Sequence, residues 1–216
     1  AGTGSNSTHE AIELTVAAAA AGAEYSLLVT PYYNKPSQEG LYQHFKSVAD
    51  AINLPIILYN VPSRTGCDLS AETTLRLSQV ENIVGLKDAT GDVARGASLI
   101  KSLPEGFAVY SGDDSTTCDL LEVGAKGCIS VTANVAPAKM AEMCRLALRG
   151  DHAGARAVDA KIRPLHKTLF LESNPIPVKY AMGHMGLIDP TMRLPLMPLS
   201  EQYRGELTKA IEECVE

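Results

Sequence analysis

The stretch Ile83-Val84-Gly85-Leu86-Lys87 is a short apolar run that ends abruptly in the polar sequence Asp88-Ala89-Thr90-Gly91. Its apolar residues are continuous rather than alternating, which is typical of a strand buried on both faces. A helical stretch follows, and strands that alternate with helices predict a parallel sheet. Four more runs repeat this pattern, with starts roughly 20 to 30 residues apart, the length of one strand–helix unit: Leu27–Thr30, Ile56–Tyr59, Phe107–Tyr110 and Cys128–Val131.

The segments between these runs have the signals of helices. An alanine-rich helix is predicted from His9 to Ala21, Ser70 is expected to cap another helix, and Pro137 occupies a first-turn position. Beyond residue 150 the rhythm stops, and only helices are predicted. We therefore expect two domains, an α/β domain at 1–150 and a helical domain at 151–216.

The strand–helix pattern is compatible with two architectures. Five parallel strands can form an open doubly wound sheet, or they can be the rear of an eight-stranded barrel. The pattern alone does not choose between them. In both folds the catalytic groups gather at the carboxyl ends of the strands.

Composition limits the classes of function. The chain has 216 residues, of which 45% are hydrophobic and 20% are charged, and its net charge is −6. An acidic chain lacks the basic stripe needed by a surface that binds nucleic acid or an anionic membrane. The longest apolar stretch, Val16–Ala23, is far shorter than the roughly 20 residues of a membrane span. We expect neither partner.

Metal and nucleotide sites are not supported by the spacing of the candidate residues. Asp113-Asp114 is expected to cap a helix start rather than to hold a metal, and the histidines lack ligand spacing. Gly2-x-Gly4 lacks the third small residue of a dinucleotide fingerprint. The cysteines are widely spaced without C-x-x-C, which predicts reduced thiols in a cytoplasmic protein: Cys67, Cys118, Cys128, Cys144 and Cys214.

Three side chains at the predicted strand ends are candidates for chemistry. Lys87 emerges from a buried run, where desolvation would lower its pKa and supply the neutral amine that attacks a carbonyl. It could equally extend its ammonium group to solvent. Tyr59 could pass protons or be a core aromatic residue. Arg64 could clamp a carboxylate or be a solvated loop arginine; position alone leaves these alternatives open.

Seven strings fall at the predicted strand ends and in the helical part: Ala1–Asn6, Leu28–Pro36, Leu58–Gly66, Gly85–Gly91, Tyr110–Asp114, Ile129–Asn134 and Glu172–Lys179. Together they resemble the dihydrodipicolinate synthase (4-hydroxy-tetrahydrodipicolinate synthase) family, and the resemblance runs along the whole chain. It implies a (β/α)8 TIM barrel with a C-terminal helical domain. The five runs then become strands four to eight, with the end of strand three at Ala1–Asn6.

The resemblance also implies an activity and its partners. Members of the family are lyases that condense pyruvate with L-aspartate 4-semialdehyde in lysine (diaminopimelate) biosynthesis. They are usually homotetramers built as dimers of dimers. No cofactor is implied, because pyruvate forms a covalent Schiff base with the enzyme.

Roles for individual residues follow from the same resemblance. Lys87 would form the Schiff base, Tyr59 would relay protons, and Tyr33 would complete the relay in a neighbouring subunit. Arg64 would bind the carboxylate of the semialdehyde, and Gly112 would line the pyruvate pocket together with Ile129. Three further residues match part of the allosteric lysine pocket of lysine-inhibited members: Asn6, Glu10 and Tyr32.

The sequence departs from the family at its start. The family has two strand–helix units before the segment that matches Ala1–Asn6, including the threonines that bind the pyruvate carboxylate. We therefore expect that residues 1–216 alone do not form an active, stably folded enzyme. The alternatives are another pyruvate-dependent aldolase, similar to N-acetylneuraminate lyase, and a non-catalytic fragment or assembly subunit. Arg64 within Pro62–Gly66 favours the synthase over the other aldolases.

Overall fold

The computed structural model describes residues 1–215 and contains a sheet flanked by helices. The strands are β1 (Ser26–Val29), β2 (Ile56–Asn60), β3 (Ile83–Asp88), β4 (Ala108–Ser111) and β5 (Gly127–Cys128). The α-helices are α1 (Thr8–Ala20), α2 (Gln38–Ala51), α3 (Pro62–Thr65), α4 (Ala71–Leu77), α5 (Val93–Ser102), α6 (Thr117–Glu122), α7 (Pro137–Leu148), α8 (His152–Thr168), α9 (Ile176–His184) and α10 (Glu201–Val215). Short 3-10 helices cover Asp114–Thr116 and Thr132–Asn134.

The strands follow one another in the sheet in chain order, from β1 to β5. β1 pairs with β2, β2 with β3, and β3 with β4, all in parallel. The predicted runs therefore form the parallel sheet that alternating strands and helices require. The strand ends that carry the candidate residues lie along one edge of this sheet.

The helices begin where the sequence supplies caps. The Ser7 hydroxyl accepts a hydrogen bond from the Glu10 N–H at the start of α1, and Ser70 caps α4 in the same way. In α2 the buried residues recur with helical spacing, so one face of that helix covers the sheet. α8 continues through Pro164, which lies exposed inside it.

The predicted extent of the last strand is wrong beyond Cys128. The expected run ended at Val131, but β5 stops at Cys128 and a 3-10 helix begins at Thr132. The reason is a carboxylate from another part of the chain. The N–H groups of Val131 and Thr132 donate to Oδ2 of Asp114 at 3.0 and 2.8 Å, instead of entering a strand ladder. Asp114 was expected to cap the start of a helix, but its Oδ2 atom binds the backbone of this loop instead.

The polypeptide forms two compact units. One comprises 1–113 and 123–127, and the other comprises 114–122 and the chain from Cys128 onward. These bounds differ from the predicted domain division at residue 150, which stays a prediction. The first unit has its core between sheet and helices, at Leu28, Leu41, Phe45, Ile56, Leu58, Leu77 and Leu86. The second buries Met140, Met143, Ile162, Leu165 and Leu169.

Within residues 1–215, no helix combines the length and the apolar character of a membrane span.

Candidate functional site

Three side chains stand level with one another at the carboxyl edge of the sheet. The parallel register pairs Tyr59 of β2 with Lys87 of β3, and Lys87 with Tyr110 of β4. Register partners on adjacent strands point to the same face of a sheet. The Nζ atom of Lys87 lies 4.0 Å from the centroid of the Tyr59 ring. Lys87 and Tyr59, singled out separately in the sequence, are therefore neighbours.

Tyr59 is half-buried beside this lysine, and its environment keeps the phenol protonated. Burial raises the pKa of Tyr59, and the nearby positive charge of Arg64 opposes part of that effect. At neutral pH the hydroxyl group therefore carries its proton, and it can donate that proton to a negatively charged oxygen or carbanion.

The loop that carries Arg64 is held by polar contacts that run from the buried end of β2 to the surface. Asn60, at the end of β2, accepts a hydrogen bond from the N–H of Leu69 at 3.0 Å and donates to Asp68 Oδ1 at 2.8 Å. The Arg95 guanidinium binds both carboxylate oxygens of Asp68, at 2.8 and 3.0 Å. Arg64 itself is exposed on α3, between these two anchor points.

Gly112 follows β4 and lies directly against the lysine. Its N–H donates to the carbonyl oxygen of Asp88 at 2.7 Å. A Cβ atom at this position would be 2.7 Å from Cε of Lys87 and 2.9 Å from Cβ of Ala89. Both distances are shorter than ordinary van der Waals contact, so a side chain here would displace the lysine.

Tyr33 is placed differently from the other predicted catalytic residues. Its side chain is 88% exposed, and its backbone has φ 76°, a left-handed value that is uncommon for tyrosine. The Tyr33 N–H donates to the carbonyl oxygen of Thr65 at 3.2 Å, which ties this turn to α3. Its ring is thus presented to solvent rather than packed in the core.

The residues predicted to bind lysine gather around the start of α1. The Asn6 side-chain amide donates to the Tyr32 carbonyl oxygen at 3.2 Å, and the Asn34 amide donates to the Asn6 carbonyl oxygen at 2.9 Å. The Glu10 carboxylate accepts a hydrogen bond from the Ser5 hydroxyl at 2.6 Å. Glu10 is exposed, so its remaining acceptor sites face solvent.

Ile129 belongs to the second compact unit, where it is half-buried directly after β5. Its assignment to the pyruvate pocket stays a prediction.

Tyr110 is the neighbour of Lys87 that sequence reasoning missed. It ends an apolar run and is the penultimate residue of β4, as Tyr59 is of β2, and this shared position could have identified it from the sequence. Gly85 lets β4 approach β3 closely, because a Cβ atom on Gly85 would lie only 2.7 Å from the Ala108 carbonyl oxygen, whereas it would be in ordinary contact, at 3.6 Å, with Cε2 of the Tyr110 ring.

No group of three histidine, cysteine or acidic residues with metal-binding geometry occurs within residues 1–215.

Comparison with known proteins gives consistent results. A family model described as the dihydrodipicolinate synthetase family matches residues 1–214. The 4-hydroxy-tetrahydrodipicolinate synthase of Nitrosomonas eutropha is 60% identical over 211 residues, which cover 98% of this chain and 72% of that protein.

Solved structures agree with the sequence relatives. The chloride-inhibited dihydrodipicolinate synthase of Acinetobacter baumannii, complexed with pyruvate, matches with a TM-score of 0.97 and 59% identity, over 99% of this chain and 74% of that one. The enzyme of Cyanidioschyzon merolae with lysine bound matches with a TM-score of 0.95 and 37% identity, over 99% of this chain and 73% of that one.

Proposed function

Because the chain belongs to the dihydrodipicolinate synthetase family, we propose that it condenses pyruvate with L-aspartate 4-semialdehyde to form 4-hydroxy-tetrahydrodipicolinate. The family resemblance predicted from the sequence is confirmed. The predicted fold class, strands four to eight of a (β/α)8 TIM barrel, is confirmed by the five-stranded sheet and by the similarity to solved structures of this family. The chain is accordingly assigned to the lyases of lysine biosynthesis.

The observation that carries this proposal is the placement of Lys87 at the carboxyl edge of a parallel sheet, beside Tyr59 and Gly112. The lysine amine adds to the keto carbon of pyruvate, and loss of water leaves a carbon–nitrogen double bond. Loss of a methyl proton then gives an enamine, whose carbon attacks the aldehyde of the second substrate. The Schiff base stores the electron pair that this attack requires, so no other cofactor is proposed.

Tyr59 is proposed to move the protons of these steps. Its raised pKa suits it to donate a proton to the leaving hydroxyl group and to regain one later. Tyr33 is proposed to extend the relay into a second copy of the chain. Its 88% exposure leaves the ring available for such a contact. The homotetramer implied by the resemblance would supply that copy.

The remaining substrate contacts are assigned from the charge of the side chains and from the space beside Lys87. Arg64 is exposed on α3, directly after β2, and its guanidinium is proposed to bind the semialdehyde carboxylate. Gly112 keeps the space beside Lys87 open for pyruvate. Ile129 is proposed to line the pyruvate pocket, as the family resemblance implies. The free cysteines support a reducing compartment, and we propose a cytoplasmic location.

A direct assay separates this function from its alternatives. The protein is incubated with pyruvate and L-aspartate 4-semialdehyde, and in parallel with N-acetylneuraminate, and the products are identified by mass spectrometry. Formation of the cyclic condensation product supports the proposal. Cleavage of N-acetylneuraminate instead would assign the protein to the sugar-acid aldolases, and absence of any pyruvate adduct would indicate a non-catalytic chain.

Gly112→Ala is expected to slow formation of the pyruvate adduct by about 10²-fold, because a displacement of about 1 Å at a reacting group has that effect. The new methyl group would lie 2.7 Å from Cε of Lys87. The rate is measured by quenching the reaction with borohydride at intervals and determining the fraction of adduct by intact-mass spectrometry. Gly205→Ala, in α10 with no atom within 4 Å of its added Cβ, is the control. Equal rates in both variants would contradict the role of Gly112.

We also propose that L-lysine binds at the start of α1. The cluster of Asn6, Glu10 and Tyr32 offers an exposed carboxylate and backbone carbonyl groups, which suit an ammonium group. The lysine-bound relative is similar along nearly the whole of this chain. Binding there would regulate the condensation.

Glu10→Ala is expected to weaken lysine binding about 10- to 150-fold, since a charge-assisted hydrogen bond contributes about 1.5–3 kcal/mol. Isothermal calorimetry measures the dissociation constant. Glu13→Ala is the matched control. Glu13 lies one turn later on α1 and forms an ion pair with the exposed side chain of His9. Unchanged affinity in Glu10→Ala would reject this site.

A further inference from the structure

Two cysteines that are far apart in the sequence are neighbours in the second compact unit. Cys128 ends β5 and Cys144 lies in α7, and their sulfur atoms are 3.7 Å apart. Both side chains are half-buried, whereas the other three cysteines are buried. We propose that this pair is a redox modification site, at which hydrogen peroxide joins Cys128 and Cys144 in a reversible disulfide.

The sulfur atoms are already within reach of a bond. A disulfide has a sulfur–sulfur distance of about 2.05 Å, so the two atoms need to approach by about 1.7 Å. Rotation of the two side chains about their Cα–Cβ bonds can supply part of this approach. Each residue also belongs to a regular element, so the remaining movement shifts β5 relative to α7.

The two thiols differ in a way that assigns the attacking sulfur. A hydrogen bond from the Cys128 thiol lowers the pKa of Cys144, because it stabilises the thiolate. The same hydrogen bond, together with burial, raises the pKa of Cys128. Cys144 is therefore the nucleophile, since the thiolate is the reactive form.

The other thiols are less reactive than this pair. Burial raises the pKa of Cys67 and of Cys214, and it raises the pKa of Cys118 to about 11. Each remains protonated at neutral pH and is shielded from solvent. Oxidation is accordingly selective for the half-buried pair.

The reaction balances with peroxide as the oxidant. The Cys144 thiolate attacks one peroxide oxygen, the oxygen–oxygen bond breaks, and a sulfenic acid and a hydroxide ion form, which takes up a proton to become water. The Cys128 thiol then attacks the sulfenic sulfur, and the second oxygen leaves as water. Two thiols and one peroxide thus give one disulfide and two waters. Dithiothreitol reverses the change by thiol–disulfide exchange.

The consequence for activity rests on the proposed function. Ile129 follows Cys128 directly, and the loop after it is held by the two hydrogen bonds to Asp114. A disulfide that pulls Cys128 towards α7 therefore displaces the residue assigned to the pyruvate pocket. The oxidised protein is expected to form the pyruvate adduct at least about tenfold more slowly.

The test treats the full chain with hydrogen peroxide and maps its peptides without reduction. The expected result is a cross-linked peptide pair containing Cys128 and Cys144, with free thiols falling from five to three. C144S should give no cross-link, and C128S should accumulate a sulfenic acid on Cys144 that dimedone captures. C67S is the control and should keep the cross-link. C144A serves in place of C144S if that variant does not fold.

The outcomes separate the modification from the function. Cross-links elsewhere, or no Cys128–Cys144 cross-link after prolonged treatment with excess hydrogen peroxide, would overturn the proposed site. A cross-link that leaves the rate of pyruvate adduct formation unchanged would overturn its regulatory consequence. If the reduced protein forms no adduct at all, the proposed function fails, but the cross-link mapping still decides whether the redox site exists.

Discussion

Lys87→Ala is expected to abolish the covalent adduct that pyruvate and borohydride leave on the protein, and to lower kcat by about 10⁴-fold or more, as removal of a covalent nucleophile does. The reason is that the lysine amine forms the bond that stores the reacting electron pair, and no side chain beside it can replace that bond. Its register partners are tyrosines, at positions 59 and 110. Intact mass and peptide mapping detect the adduct.

Two further variants make this result specific to the amine. Lys87→Arg keeps a positive charge at the edge of the sheet but supplies no nucleophilic amine, so it should fail like the alanine variant. Lys101→Ala removes an exposed lysine from the end of α5 and should keep both the adduct and the rate. An adduct that persists in Lys87→Ala, or that maps to another lysine in the wild-type protein, would refute the assignment.

The strands were predictable because a buried strand requires a continuous run of apolar residues, which is visible in the local sequence. β1 to β4 begin and end within one residue of the apolar runs, since a strand buried on both faces needs a continuous run. β5 was predictable only in part. Its length depends on Asp114, which lies 17 and 18 positions before the two residues that it binds, and no local sequence pattern indicates those hydrogen bonds.

The candidate site was predictable to the extent that strand ends define it. Lys87 and Tyr59 were found because each ends a buried run, and the sheet register brings them together. Tyr110 was missed, although it meets the same criterion. The pairing of Cys128 with Cys144 could not be predicted, because it depends on how α7 lies beside β5 rather than on spacing along the chain.

Tyr59→Phe is expected to lower kcat by about 10²- to 10⁴-fold, the range for loss of a general acid–base group. The substitution removes only the hydroxyl group, so the ring that lies 4.0 Å from Nζ of Lys87 is retained. Lys87 keeps its amine, and the borohydride-trapped pyruvate adduct should still form, although more slowly. Steady-state kinetics and the trapping assay together distinguish lost proton transfer from a lost nucleophile.

Tyr110→Phe is the matched control for this prediction. Tyr110 is the partner of Lys87 on the opposite neighbouring strand, so the same hydroxyl group is removed at the same level of the sheet. Burial raises the pKa of Tyr59, and loss of its phenol should also change the pH dependence of kcat on the alkaline side. If Tyr110→Phe reduced turnover as much as Tyr59→Phe did, the proton relay would have to be assigned to both tyrosines.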